Sequence, residues 1–205
     1  MNETSQAYPV TLRGELTIPP SRGWWLLKWL LAIPHYVCLI GLIVAFVVVS
    51  IIAFFAILFT AKYPKSLFEF NAGVLRWGWR VNFYAFALGT DKYPPFSLEP
   101  DTEYPADLDI PYPERLSRGL IWVKWWLLAI PHYIILGFFS GGGNNGRFGL
   151  VNVLAFFGGV ALLFTGKYPP DIFKLVVGMN RWSLRVGAYT SLMRDEYPPF
   201  RLWDD

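Results

Sequence analysis

The chain has 205 residues, of which 54% are hydrophobic, 19% aromatic and 16% charged, with a formal net charge of +3. Soluble domains carry about 25% charged residues, so this composition is that of a membrane protein. The small positive excess is spread out, which argues against nucleic acid as a partner, and the single cysteine, Cys38, excludes an internal disulfide.

The first element reads as a strand. Val10, Leu12, Leu16 and Ile18 alternate with Thr11, Arg13, Glu15 and Thr17, a period of two that puts one face on a core and one in water. From Tyr104 the whole pattern starts again. Tyr8-Pro9 returns as Tyr104-Pro105, and the run Trp29 to Tyr36 returns letter for letter as Trp126 to Tyr133. Lys62-Tyr63-Pro64 returns as Lys167-Tyr168-Pro169, and Tyr93-Pro94-Pro95-Phe96 as Tyr197-Pro198-Pro199-Phe200. The chain therefore divides into two tandem repeats, 1–103 and 104–205, and each tests any reading of the other.

An apolar block follows, Trp24 to Thr60, with no acidic or basic residue among the 33 between Lys28 and Lys62. As one helix it would be about 55 Å long, against a hydrocarbon core of about 30 Å. In the second repeat the cluster Gly141 to Gly146 interrupts the block. Insertions are tolerated at loop tips, so the expectation is a transmembrane helical hairpin in each repeat, turning near Gly41 in the first. A bent helix, with an interfacial arm up to Ile33 and one crossing from His35, is the other arrangement the sequence admits. With hairpins, 17 of the 18 Lys and Arg residues fall on one side and Arg147 on the other. The positive-inside rule then puts the termini and strands in the cytoplasm of a multi-pass protein.

The third element covers Leu67–Leu88 and Ile172–Met193. Glu69, Gly73, Arg76 and Arg80 share one helical stripe, matched by Lys174, Gly178, Arg181 and Arg185. Two arginines at a bilayer centre cost roughly 2.5–3.5 kcal/mol each. An amphipathic helix lying in the interface avoids that cost, with arginines at the headgroups. Each repeat then closes on a short alternating strand, at Phe96–Glu99 and Phe200–Leu202. Strand edges are not tolerated in hydrocarbon, so the strands of both repeats are expected in one small sheet outside the bilayer. Seven Tyr-Pro pairs punctuate the chain. Proline stops helices and tyrosine favours the membrane boundary, so they read as structural.

Two constellations recur in both repeats and carry the functional candidates. Arg76, Arg80, Arg181 and Arg185 sit in the motif Arg-Trp-x-x-Arg-Val. Guanidinium forks match phosphate, which makes them candidate contacts for anionic lipid or a partner. Pairing within the chain, with Glu69 or the acidic linker, is the competing reading. His35 and His132 are the only histidines and occupy one repeat position, a candidate intramembrane polar site for a ligand or a proton. A structural hydrogen bond beside Pro34 and Pro131 is the competing reading there, and haem ligation a distant third. No nucleophile elbow, phosphate loop or paired acids are present. No catalytic residue, metal site or cofactor is therefore expected.

The ordered motifs Ala-Ile-Pro-His-Tyr, Phe-Thr-(Ala/Gly)-Lys-Tyr-Pro, Arg-Trp-x-x-Arg-Val and Tyr-Pro-Pro-Phe, each present twice, resemble the bacterial membrane family known as domain of unknown function 4389. The resemblance implies an integral protein of the bacterial cell membrane and brings no activity or site residue. The expected fold class is an α-helical integral membrane protein with a small extramembrane β-sheet. It is built as tandem parallel repeats of strand, transmembrane helical hairpin, amphipathic interfacial helix and short strand. The expected function is a non-enzymatic scaffold or lipid-interacting membrane module, whose partners are membrane lipids and a protein partner or second copy. The alternative is a small transporter or channel subunit using the paired histidines at the repeat interface.

Overall fold

A computed structural model of the chain describes residues 8–16, 20–141 and 149–203. Among these residues the fold is mostly helical, with six α-helices and one two-stranded sheet. In the first repeat, β1 (Thr11–Gly14) leads to α1 (Trp25–Leu31), α2 (Ile33–Thr60) and α3 (Lys65–Ala85). In the second, β2 (Ala106–Asp109) is followed by a 3₁₀ turn (Leu120–Trp122), α4 (Ile130–Ser140), α5 (Leu150–Thr165) and α6 (Pro170–Thr190).

The expected hairpin at Gly41 does not form. Pro34 lies in the first turn of α2, where its missing N–H costs nothing, and the helix then runs through Gly41 without a break. No polar turn residue is present there to stop it. α2 is the one helix long and apolar enough, by length and composition, to cross a membrane among the described residues. In the second repeat, α4 and α5 together follow the path that α2 takes. His132 packs on Trp182 as His35 packs on Trp77, and Thr165 caps Lys167 as Thr60 caps Lys62. Gly149, where α5 starts, lies directly against the backbone of Phe139, Ser140 and Gly141, where α4 ends. The insertion therefore interrupts a helix instead of marking a hairpin tip. Its Gly/Asn cluster from Gly142 onward and Arg147 lie outside the described residues.

The closing strands are also absent. The segments after Tyr93 and Tyr197 are irregular, and side chains take up their carbonyls in place of a neighbouring strand. The sheet consists of β1 and β2 alone, antiparallel, with Leu12 paired to Leu108. These two leucines hold the same place in their repeats, so a local two-fold axis passes between them, perpendicular to the sheet.

Each repeat lends its strand to the other. Arg76 on α3 donates to the Leu108 carbonyl of β2, and Arg181 on α6 donates to the Leu12 carbonyl of β1. Tyr104 donates to the Lys92 carbonyl in the first repeat, and Tyr8 to the Glu196 carbonyl in the second. α3 and α6 are antiparallel, since Phe83 near the end of one meets Phe173 near the start of the other. Three layers result. The sheet and closing segments lie on one side of α3 and α6, against Arg76, Arg80 and Trp79. α2 lies on the other side of α3, against Asn71, Trp77, Val81 and Tyr84, and α4 with α5 takes the same place on α6. The outer face of this last layer is apolar and uncovered, with Val37, Ile40 and Val44 on α2 and Phe138, Phe156 and Phe164 on α4 and α5 exposed.

The aromatic residues of α3, expected to dip into lipid, are instead covered within the chain. Phe68, Trp77, Trp79 and Phe83 are buried, because the sheet covers the polar stripe of α3 and α2 covers its aromatic side.

Candidate functional site

The motifs that stand far apart in sequence meet around the two histidines. α1 and α2 are separated by a break at Ala32, just before Pro34. Tyr93 donates its hydroxyl to the Leu31 carbonyl at that break, and Tyr197 does the same for Leu128. Three residues on, Phe96 stacks on the His35 ring at 3.9 Å and Phe200 on the His132 ring at 4.5 Å. The prolines between tyrosine and phenylalanine fix φ and keep the segment extended over the break. Tyr-Pro-Pro-Phe is thus a clamp on Ala-Ile-Pro-His-Tyr.

The arginine helix supplies the remaining wall of each box. Trp77 donates its indole N–H to His35 Nδ1 at 3.1 Å, and Trp182 to His132 Nδ1 at 3.0 Å. With Nδ1 accepting, a neutral imidazole carries its proton on Nε2. Both Nε2 atoms are buried and have no hydrogen-bond partner among the described residues. Neither histidine is exposed to solvent. Every ring that packs on His35 comes from the first repeat and every ring on His132 from the second. The histidines therefore do not share a site at the repeat interface, as a transport path between them requires. Each closes its own box.

The four arginines of the stripe face the sheet. Arg80 and Arg185 are 0% and 1% exposed. Arg76 donates to the Leu98 and Leu108 carbonyls at 2.7 and 2.9 Å, and Arg181 to Leu202 at 3.0 Å. Arg80 bonds the Glu99 carbonyl and the Asp107 carboxylate, and Arg185 reaches the Val10 carbonyl over the Tyr8 ring. Arg76, Arg80 and Arg185 are buried and Arg181 is half-buried, so pairing within the chain occupies the positions read as candidate lipid contacts. Among the described residues, Asp107 of the acidic linker pairs with Arg76 and Arg80, and backbone carbonyls accept from all four arginines. Gly73 and Gly178 share the stripe for a steric reason. A Cβ on Gly73 would lie 2.7 Å from Leu98 Cβ, and one on Gly178 would lie 3.0 Å from the Leu202 carbonyl. Only glycine lets the closing segment approach within reach of Arg76 and Arg181.

A second pair of sites lay unnoticed in the sequence. Lys28 is fully buried, donating to the Thr90 carbonyl at 2.7 Å and ion-paired with the Asp91 carboxylate at 2.7 Å, above the Tyr84 ring. Lys124 repeats this with the Arg194 carbonyl, Asp195 and Tyr189. The second carboxylate oxygen takes the Ser21 N–H in one repeat and the Ser117 N–H in the other. Burial alone would raise the Asp91 carboxyl. The Lys28 ammonium, with the Ser21 hydroxyl and amide, outweighs it and holds the group below the usual carboxylate range. The signal was available, since Lys28, Asp91 and their counterparts recur at matching positions. The spacing from lysine to histidine differs between repeats, seven residues against eight. The arm between Lys124 and His132 absorbs the extra residue in turns, in which Leu128 N–H bonds the Val123 carbonyl and Ile130 N–H bonds the Leu127 carbonyl. Both boxes are kept and the helix between them is given up.

These pairs tie each arm to the segment that follows the arginine helix of its own repeat. Among the described residues, no three of the types that ligate metal come together. No curated protein and no solved structure shows significant similarity to the chain. The profile of the domain of unknown function DUF4389 matches residues 22–97 and 121–201, spanning the clamps, boxes and arginine helices of each repeat. The chain belongs to that family, as two tandem copies of its domain.

Proposed function

We propose that this protein is a non-enzymatic, lipid-engaging module of the bacterial cell membrane that sits in one leaflet, with its apolar helices lying in the plane of the membrane. The observation that carries the reading is the direction of the two-fold axis. It runs through the sheet and perpendicular to α3 and α6, with the polar sheet at one end and the bare apolar layer at the other. Were α2 to stand across the bilayer, the axis would lie in the midplane. The edges of β1 and β2 would then sit at hydrocarbon depth, where unpaired backbone groups each cost several kcal/mol. Laid flat, the same fold puts every strand and closing segment in water and the apolar face in lipid. Trp24, Trp29, Trp122 and Trp126 are exposed along the two arms, and tryptophan favours the headgroup boundary. In this orientation the termini and sheet face the cytoplasm, where anionic lipid attracts the basic residues.

Spin labels placed singly at Val37, Val47 and Phe59, in a Cys38→Ala background, test the orientation by depth-dependent relaxation in vesicles. All three are expected at one shallow depth. A deep Val47 between two ends that open to opposite aqueous phases would sink the proposal.

A further inference from the structure

The two repeats leave a cleft at each of their seams. One has a volume of about 640 Å³ and lies between Phe54 and Phe55 of α2, Trp125 and Tyr133 of the other repeat, and the end of α6 at Gly187 and Leu192. Its counterpart, about 570 Å³, lies between Phe156 of α5, Trp25 and Trp29 of α1, and Leu88 beyond α3. Both volumes fall in the range of small-molecule sites, about 300–1,000 Å³. The linings are nearly all apolar. Thr190 and Ser191, two of the hydroxyls in the larger cleft, donate to carbonyls of their own helix and seek no polar ligand.

Each cleft has cations at its mouth. Arg118 begins the arm that carries Trp125 into the larger cleft, and it donates to the Phe59 carbonyl, one turn beyond Phe55. Leu116 bonds the Ala61 carbonyl, which brings Arg115 and Lys62 to the same helix end. Glu114 is the neighbouring acid in the chain. At the other seam Arg22 begins the arm that carries Trp25, and its guanidinium lies against Gly166, next to Lys167. Arg22, Lys62, Arg115, Arg118 and Lys167 are all exposed. An apolar slot with exposed cations at its rim fits an amphiphile with an anionic head.

We infer that each cleft holds an acyl chain of an anionic glycerophospholipid whose phosphate rests on the arginine at the mouth, Arg118 in one seam and Arg22 in the other. This rests on the proposed seating in one leaflet and names the lipid class it engages. The arginines of the buried stripe have no part in it.

Native mass spectrometry of the full chain, released from nanodiscs of equal phosphatidylglycerol and phosphatidylcholine, tests the inference. Two retained lipids are expected, enriched in phosphatidylglycerol about fivefold per cation. A Cβ on Gly187 would meet no atom within 4 Å, so Gly187→Leu starts into open space, narrows the larger cleft and should lower the count from two to one. Arg118→Gln should keep the count at two and lose the headgroup preference at that seam. Thermal melts of both variants confirm that the fold is kept. Two lipids still bound to a folded Gly187→Leu, or an unchanged preference in Arg118→Gln, would overturn the inference. Vesicle flotation separates the two claims. A protein that fails to float overturns the membrane reading as well, whereas one that floats with unaltered lipid counts overturns the clefts alone.

Discussion

Lys28 and Asp91 are the clearest test of the structure at the level of single residues. A buried ammonium is costly unless its hydrogen bonds are complete, and here a carbonyl, a carboxylate and an aromatic face complete them. Lys28→Met keeps the stem and removes the charge. Breaking a buried pair costs about 3–5 kcal/mol, and because Asp91 keeps 31% of its side chain in water, about 2–3 kcal/mol is expected. Adding Asp91→Asn should recover part of that loss. The pair also fixes a pH dependence. A carboxyl depressed in the folded state adds stability above its unfolded value, near 3.9 for aspartate, and loses it as pH falls through the folded value. Thermal melts from pH 7 to pH 3 should therefore show wild type losing stability below about pH 4, with a flatter profile for Lys28→Met. Equal slopes would remove the pair from the account. Residue type alone pointed the sequence reading at histidine and arginine and away from this lysine. A lysine at the edge of an apolar run looks like a boundary charge, and nothing in its neighbours announces Asp91, 63 positions later.

Among the elements, the arginine helices were legible and the apolar blocks were not. Spacings of three, four and seven put Arg76, Arg80 and Gly73 on one stripe whatever covers it. What covers it depends on long-range packing, and the sheet took the place expected for headgroups. The apolar block misled because its turn was inferred from the other repeat. Gly142 to Gly146 reads as a loop in any context, but a loop can leave a helix and return to the point of departure. His35 and His132 are 97 positions apart, whereas Thr60 and Thr165 are 105 apart, so eight residues are inserted between them. Removing 141–148 joins Ser140 to Gly149 at the helical phase of α2. With Gly149→Ala to restore helix propensity, this deletion should keep the fold, raise helicity by circular dichroism and leave the melting temperature equal or higher. A true hairpin would be destroyed by the same change, so loss of the cooperative transition would refute the interrupted-helix reading.

At the scale of the whole molecule, the duplication was plain in the letters, but the exchange of strands was not. Repetition predicts two similar units and says nothing about which unit a strand joins. Here β1 lies on the helix of the second repeat and β2 on that of the first. Tyr8 and Tyr104 are carried across with them. The arginines of each α3-like helix therefore find their carbonyls in the opposite half. A half-chain on its own would bury Arg185, or Arg76 and Arg80, with part of their partners missing, and losing partners for a buried charge costs several kcal/mol. That is a large share of the roughly 5–15 kcal/mol by which a domain is stable. A half can regain its partners only from a second chain. Expressed as separate chains in detergent, 1–103 and 104–205 should co-purify as a one-to-one complex, and 104–205 alone should be a dimer that trades strands with its twin. Light scattering decides the matter: a folded monomer of 104–205 would show that the strand exchange is not needed to hold the repeat together.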